Sequence, residues 1–269
     1  MATAQNKSDI IPAQRRNVIL DRIREKGVIS VKELSDSTGV SLPTIRRDLD
    51  WLAKTGALER THGGATLKSS PGTTFEPDYH VASRIALKEK ATIGMLAADR
   101  IRDNQSVIFD SSSTVYEAAR HVVERGLAIT AVTNDIRIAE LLAGNASIHL
   151  IVTGGSLRPG SYTLVGEPGM SFLRSLHVDV ALMGIHAITD SSCSDTSLDV
   201  AFAKRYMVAA AKAVLVLADA SKFGNIAFCD AFDIDNNYEI ITNRPIASPV
   251  KRDLEKKGAT IRVAEKEHP

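Results

Sequence analysis

The chain has two cysteines in 269 residues, Cys193 and Cys229, without C-x-x-C spacing and without a histidine cluster beside them. That scarcity indicates neither a disulfide framework nor a zinc site. No apolar segment follows the polar stretch Met1–Lys7, and no run approaches the ~18 uninterrupted apolar residues of a membrane span. The expectation is a soluble, cytoplasmic protein with no membrane partner. Paired carboxylates and Ser/His arrangements of the kind that carry acid/base or nucleophilic catalysis are also missing. No metal and no cofactor is expected.

With 44% apolar residues, a chain of this length can bury one substantial core and a smaller second one. The net charge of +1 conceals an asymmetry: residues 1–70 hold 12 Lys/Arg against 8 Asp/Glu, a net of +4, and the remainder is net −3. A compact nucleic-acid reader joined to a neutral or acidic domain has this distribution, although +4 alone is a common surface fluctuation.

Residues Arg15–Lys26 place Val18, Ile19, Arg22 and Ile23 at helical spacing, with Gly27 as a stop. Ser30 and Glu33 form a capping-box pair for a second helix, Val31–Thr38, which Gly39 ends. Ser41 is the next capping residue, and Pro43 suits the first turn of a third helix. Along that helix Leu42, Ile45, Leu49 and Leu52 share one face, leaving Pro43, Thr44, Arg46, Arg47, Asp50 and Lys54 outward. A helix, a short turn and a second helix with arginines near its start have the geometry that enters a DNA major groove. Gly56 closes the third helix. Residues Ala57–Thr61 and Ala65–Leu67, around His62-Gly63-Gly64, predict a two-stranded wing. The plain alternative is a helical subdomain whose arginine pair is a solvated face.

The run Val40-Ser41-Leu42-Pro43-Thr44-Ile45-Arg46-Arg47-Asp48-Leu49, followed by Leu52, Gly56, Leu58, Arg60 and His62-Gly63-Gly64-Ala65, resembles the DNA-binding signature of the DeoR family of bacterial regulators. The resemblance implies an operator-reading surface of Ser41, Pro43, Thr44, Arg46, Arg47, Arg60, His62 and Gly63.

Lys68–Thr74 is a Ser/Thr/Gly/Pro cluster that reads as a tether. The expected organisation is a polar tail at 1–14, a winged helix-turn-helix at 15–68, a linker at 69–85 and an effector-sensing domain at 86–269. From Ala86 onward helical and apolar β-branched segments alternate, which predicts an α/β domain with a mostly parallel sheet. Open sheets of this kind bind ligands beyond the carboxyl ends of their strands. Asp110-Ser111-Ser112-Ser113-Thr114 stands there at the start of a helix, where backbone N–H groups and hydroxyls can cradle a phosphate. Thr133-Asn134 and Gly154-Gly155 follow later strands, and Lys204 and Lys222 are candidate cations. Each also has an ordinary counterpart, as a helix cap, a turn or a solvated lysine.

As an ordered set, Phe109-Asp110-x-Ser112-Ser113-Thr114, Thr133-Asn134, Gly154-Gly155, Asp179 to Gly184, Lys204-Arg205 and Asp219–Gly224 resemble the DeoR-type sensor domain. This implies a Rossmann-like sheet related to ribose-5-phosphate isomerases and CoA transferases, with sugar phosphates as usual effectors. The implied effector residues are Asp110, Ser111, Ser112, Ser113, Thr114, Thr133, Asn134, Gly154, Gly155, Gly184, Lys204 and Lys222. Ser112 stands where the family commonly has glycine, and Val200 where an acidic residue commonly precedes the lysine by four, with Asp199 beside it; the Ser/Asp-rich stretch Thr189–Ser197 is also atypical. The expected function is a transcriptional regulator, a repressor of a sugar-metabolism or transport operon. Its partners are double-stranded operator DNA, a phosphorylated sugar or related small effector, and further copies of itself as a dimer or tetramer. The alternatives are an isomerase-like enzyme fused to a DNA-binding module, with Lys204, Lys222 or Asp110 as acid/base groups, and an architectural DNA binder.

Overall fold

A computed structural model describes residues 12–26, 28–55, 58–66, 73–74, 79–83 and 85–264. The tail up to residue 11, the stops at Gly27 and Gly56, and the tether from Lys68 to Gly72 lie outside the described residues. The chain divides into two compact units, Met1–Ile85 and Ala86–Pro269.

The first unit runs α1 (Pro12–Lys26), β1 (Val28–Ser30), α2 (Val31–Thr38), α3 (Leu42–Lys54), β2 (Glu59–Thr61), β3 (Gly64–Thr66) and α4 (Tyr79–Ala82). Its core is Ile19, Ile23, Ile29, Leu34, Ile45, Leu49, Leu52 and Leu58; each such side chain contributes ~1.5–3 kcal/mol on burial. Ser30 caps α2 in a complete capping box, and Gly39 closes it at φ 71°. The strands form an antiparallel sheet in the order β1-β3-β2. A Cβ on Gly64 would sit 2.0 Å from the Ile29 carbonyl oxygen, so only glycine lets β3 lie this close to β1.

The second unit begins with α5 (Leu87–Ala98), β4 (Ser106–Phe109), α6 (Ser113–Glu124), β5 (Thr130–Thr133), α7 (Ile136–Ala143) and β6 (His149–Val152). It continues through β7 (Ser156–Leu157), β8 (Leu164–Val165), α8 (Gly169–Arg174), β9 (Val178–Gly184), β10 (Ala187–Ile188), β11 (Ser192–Asp195), α9 (Leu198–Ala210) and β12 (Ala211–Leu217). Then come a 3-10 turn (Ala220–Lys222), β13 (Cys229–Asp233), β14 (Tyr238–Thr242), α10 (Ser248–Lys256) and β15 (Thr260–Val263). Seven parallel strands make one sheet in the order β15-β14-β12-β9-β4-β5-β6. One apolar layer packs Ile93, Val115, Ala118 and Val122 of α5 and α6 on one face, and a second packs Met207 and Leu254 of α9 and α10 on the other. The fold is a winged helix-turn-helix followed by a Rossmann-like α/β domain. From β4 the chain winds outward to β6, then returns to the other side of β4 and winds through β9 to β15. The winding reverses between β4 and β9, the place where doubly wound sheets open a crevice.

Three sequence expectations are corrected. Leu42 is 40% exposed and does not join the buried face of α3. Ser41 makes no side-chain cap to the α3 backbone, because its hydroxyl lies 2.9 Å from the Thr44 hydroxyl. Helix α5, which the sequence pattern extends from Ala86 to Ile101, starts at Leu87 and stops at Ala98, with Ala86 in the left-handed region at φ 53°. The alternation pattern also does not predict the antiparallel sheet β10-β11-β13, whose strands carry buried polar residues such as Ser194 and Asp195.

Asp179, at the start of β9, ties it to β4 and β12. It accepts hydrogen bonds from the Ser106 amide, the Ser106 hydroxyl and Lys212 Nζ, each at 2.9 Å. The Ser106 amide first, then Lys212 and the Ser106 hydroxyl, hold its carboxyl down to about 2. A carboxyl held below its unfolded value contributes stability that is present above the unfolded value and lost as pH falls through the folded one. Asp179→Asn therefore removes part of the stability loss between about pH 4 and 2. Urea unfolding across that range should give a flatter acid limb for the variant, converging with the wild type at the low end.

Candidate functional site

Helix α3 presents Pro43, Arg46, Arg47, Asp50 and Lys54 to solvent, with Thr44 half-buried. Arg46 and Arg47 form no ion pair or hydrogen bond among the described residues, so both guanidinium groups remain available. The wing turn His62-Gly63 is exposed, and the Gly63 carbonyl accepts from the Val31 amide at 2.9 Å, which fixes the wing to the start of α2. Arg60 lies 3.5 Å from Asp50, linking the wing strand to α3. All eight sequence-expected DNA-reading residues thus belong to α3 and its flank or to the wing. Sequence reasoning missed Asp48. It is 2% exposed and receives Arg15 Nε at 2.5 Å and Arg16 Nε at 2.9 Å, clamping α1 to the inner side of α3. Arg16 also lies 4.1 Å from the Trp51 ring centre, so the clamp is backed by a cation–π contact.

In the second unit, the winding reversal holds a buried polar knot. Asp110 follows β4 and is fully buried; its Oδ2 receives the Gly184 amide at 3.0 Å and pairs with Lys204 Nζ. Lys204, 2% exposed on α9, also donates to the Gly184 carbonyl at 2.7 Å and stands 3.7 Å from Asp195 Oδ2 on β11. Burial pushes the Asp110 carboxyl up to about 6, with Lys204 pulling against it. Lys204 is therefore not a solvated cation but the centre of a buried network.

The other expected residues divide by what they hold. The Ser112 hydroxyl caps α6 by accepting from the Val115 amide at 3.1 Å, and its backbone is extended at φ −160°, not left-handed. Ser111 donates to Asp135 at 3.0 Å and lies 2.5 Å from the Thr163 hydroxyl. Thr133 donates to the Phe109 carbonyl at 2.8 Å, Asn134 donates to the Leu164 carbonyl at 3.2 Å, and Asp135 caps α7. Burial raises the Asp135 carboxyl against hydrogen bonds from Ile138, Ser111 and Arg137. Gly154 and Gly155 have φ of 77° and 113°, and a Cβ on Gly155 would meet the Val165 carbonyl oxygen at 2.5 Å. Ser113 and Thr114 open α6, with Thr114 buried and Ser113 half-buried. Lys222 flanks Asp219 beyond β12; burial works to raise the Asp219 carboxyl, but Lys222, Ser221 and the buried Lys90 of α5 hold it below its ordinary value. Asp195, Thr163 and Lys90 have no signal in the sequence that marks them for this region.

Among the described residues, three buried side-chain atoms lack a hydrogen-bond partner: Asp110 Oδ1, Asn134 Oδ1 and Thr242 Oγ1. All three stand at carboxyl ends of parallel strands. Buried polar atoms are normally paired, and these three share the carboxyl edge of the sheet.

Comparison with known proteins agrees with this geometry. Residues 15–71 match the DeoR-like helix-turn-helix domain and residues 85–244 match the DeoR C terminal sensor domain. The chain is 33% identical over 259 residues to an uncharacterized HTH-type transcriptional regulator, YgbI, of Escherichia coli (strain K12), covering 96% of this chain and 100% of that one. It is 31% identical to the HTH-type transcriptional repressor GlcR of Bacillus subtilis (strain 168), covering 94% and 97%. To the glycerol-3-phosphate regulon repressor of Escherichia coli (strain K12) it is 30% identical, covering 86% and 91%. The ribose 5 phosphate isomerase A structure from Neisseria gonorrhoeae aligns at 15% identity and TM-score 0.37, covering 50% of this chain and 52% of that one. A DeoR-like helix-turn-helix domain ahead of a DeoR C terminal sensor domain defines a transcriptional regulator. The chain belongs to the DeoR family of such regulators.

Gly184 lets β9 reach the turn after β4, since a Cβ there would lie 2.2 Å from both Cβ and Oγ of Ser112. Gly184→Ala should cost on the order of 1–3 kcal/mol by urea unfolding, as overpacking does. Ser112→Gly in the same chain should recover most of that loss, and an additive double variant would show that the contact is not the cause.

Proposed function

We propose that the protein is an effector-controlled repressor of an operon for sugar or polyol-phosphate metabolism or transport. Helix α3 and the wing read the operator, and a small phosphorylated metabolite binds the carboxyl edge of the parallel sheet. The unpartnered buried Asp110 Oδ1 and Asn134 Oδ1 beside the start of α6 carry the effector reading. A helix start offers backbone N–H groups to an anion, and Ser113 and Thr114 stand in its first turn. The neighbouring carboxylate and amide oxygens would accept hydrogen bonds from ligand hydroxyls. Relatives named for the glycerol-3-phosphate regulon and as transcriptional repressors support the same class of ligand and the same sign of control. Turnover is disfavoured because Asp110 and Lys204, the best acid/base pair, are buried and committed to each other.

On the DNA side, Arg46→Ala and Arg47→Ala should each weaken operator binding, and the side chain that reaches a base edge should relax discrimination by ~1–3 kcal/mol. Fluorescence anisotropy against specific and scrambled duplexes separates the two effects. Full-strength binding by both variants would move the operator surface off α3.

On the ligand side, Ser113→Asp places like charge at the anion position while leaving the DNA-reading unit unchanged. The variant should bind operator normally and fail to release it when sugar phosphates are titrated at fixed salt. Equal release in wild type and variant would place the effector elsewhere. A wild type that responds to no phosphorylated sugar would overturn the ligand class.

A further inference from the structure

One residue on the outer face of α3 has the wrong sign for its neighbourhood. Pro43, Arg47, Asp50 and Lys54 follow one another at spacings of four, three and four, opposite the buried Ile45, Leu49 and Leu52. Arg46 flanks that stripe. A carboxylate thus stands in the middle of a face that is otherwise neutral or basic, and its side chain is 59% exposed. DNA surrounds such a face with phosphates, and like charge set against like charge weakens binding to every sequence. Asp50 therefore opposes the affinity that Arg46, Arg47 and Lys54 supply, unless the groove offers it a donor.

The ordinary duties of a surface carboxylate do not account for it. Residues three and four away are the natural ion-pair partners on a helix, yet among the described residues neither Arg47 nor Lys54 pairs with Asp50. It meets Arg60 of the wing instead, with Nε 3.5 Å from Oδ1. An exposed pair at that distance adds little and is screened by salt, so a stronger partner displaces it readily. Nor does Asp50 hold the unit together, because the inward carboxylate of α3 is Asp48, clamped by Arg15 and Arg16.

A carboxylate only accepts hydrogen bonds, and the major groove offers it amino groups at cytosine N4 and adenine N6. Adenine sets its N7 acceptor beside N6, which repels a carboxylate, whereas cytosine N4 has no acceptor next to it in the groove on its own base. We infer that Asp50 determines part of the operator sequence: it accepts from the N4 amino group of a cytosine at one position and turns away duplexes that lack it. The inference rests on α3 as the operator-reading helix and names a base contact within that reading. Arg46 and Arg47 supply affinity, and Asp50 subtracts from it wherever the amino group is missing, which widens the gap between right and wrong sequences.

In vitro selection by the full-length protein from a library of randomised duplexes, at one fixed salt concentration, provides the test, with circular dichroism confirming that each variant is folded. The wild-type consensus should contain a C·G pair that becomes degenerate for Asp50→Ala while the other positions persist. In fluorescence anisotropy, replacing that pair should weaken the wild type on the order of tenfold or more, and Asp50→Ala by less than about twofold. Asp50→Ala should also bind a scrambled duplex at least as tightly as the wild type, because a like charge has left the interface. Asp50→Asn should shift the preference at that position towards adenine, whose N6 and N7 an amide matches. A consensus unchanged by Asp50→Ala, or a lost pair that is not C·G, overturns the inference. So does the same loss in Arg60→Ala, which would mean that Asp50 acts by holding the wing. If Arg47→Ala alters the consensus while Asp50→Ala does not, the Asp50 contact alone fails; if Arg46→Ala, Arg47→Ala and Asp50→Ala all leave it unchanged, α3 as the reading helix fails with it.

Discussion

The second unit is organised by one buried charge. Lys204 brings an ammonium group into a sheet crossing where it meets Asp110, the Gly184 carbonyl and, at 3.7 Å, Asp195. Taking two ions out of water costs several kcal/mol each, and a buried pair repays this only with close geometry and further hydrogen bonds. Here the repayment is visible: the Gly184 amide also donates to Asp110, so strand β9, the turn after β4 and helix α9 are fixed by a single network. Glycine at 184 is part of the same constraint, because any side chain would strike Ser112 and push the two strand ends apart. The winding reversal of the sheet is thus a place where four segments must arrive in register for any one of them to be satisfied.

The smaller DNA-reading unit meets the same problem with a different solution. A core of this size supplies little surplus stability, and a helix whose outer face must stay polar for DNA cannot add apolar packing there. Asp48 supplies the missing rigidity from the inner side, held by Arg15 and Arg16 of α1. The arginines that touch Asp48 and those that face outward are therefore doing opposite things within one short stretch of helix pair. Arg46 and Arg47 are left exposed while their neighbour Asp48 is buried, and that alternation of burial follows from helical geometry.

This division explains what the sequence could and could not reveal. Helices with caps were legible to within a residue or two, because Ser30, Glu33 and Gly39 act through their own backbone neighbours. The inner parallel strands β4, β5 and β9 were legible because they are buried along most of their length and so read as largely apolar runs. Leu42 misled because periodicity records which residues share a face, not where that face stops being covered. Lys204 read as a plausible surface cation, and nothing local distinguishes it from one; its burial depends on Asp110, far away in the chain. Asp195 and Thr163 were invisible for the same reason. They matter only through partners brought close by the fold, and strands as short as β10 or β8 leave no periodicity to detect.

Ligand control of DNA affinity requires that the ligand bind two states of the protein unequally, and the strength of the response is bounded by that difference. A site made of flexible loops would absorb a ligand without transmitting anything. The proposed site lies instead between the first turn of α6 and a strand end locked to α9, with Ser112 serving both as the α6 cap and as the neighbour that Gly184 must clear. A ligand group that engages Asp110 cannot do so without altering contacts of β9 and Lys204, because Asp110 already pairs with the Gly184 amide and Lys204. Tight mutual dependence at the strand ends is what would turn occupancy of the proposed site into movement of a whole helix.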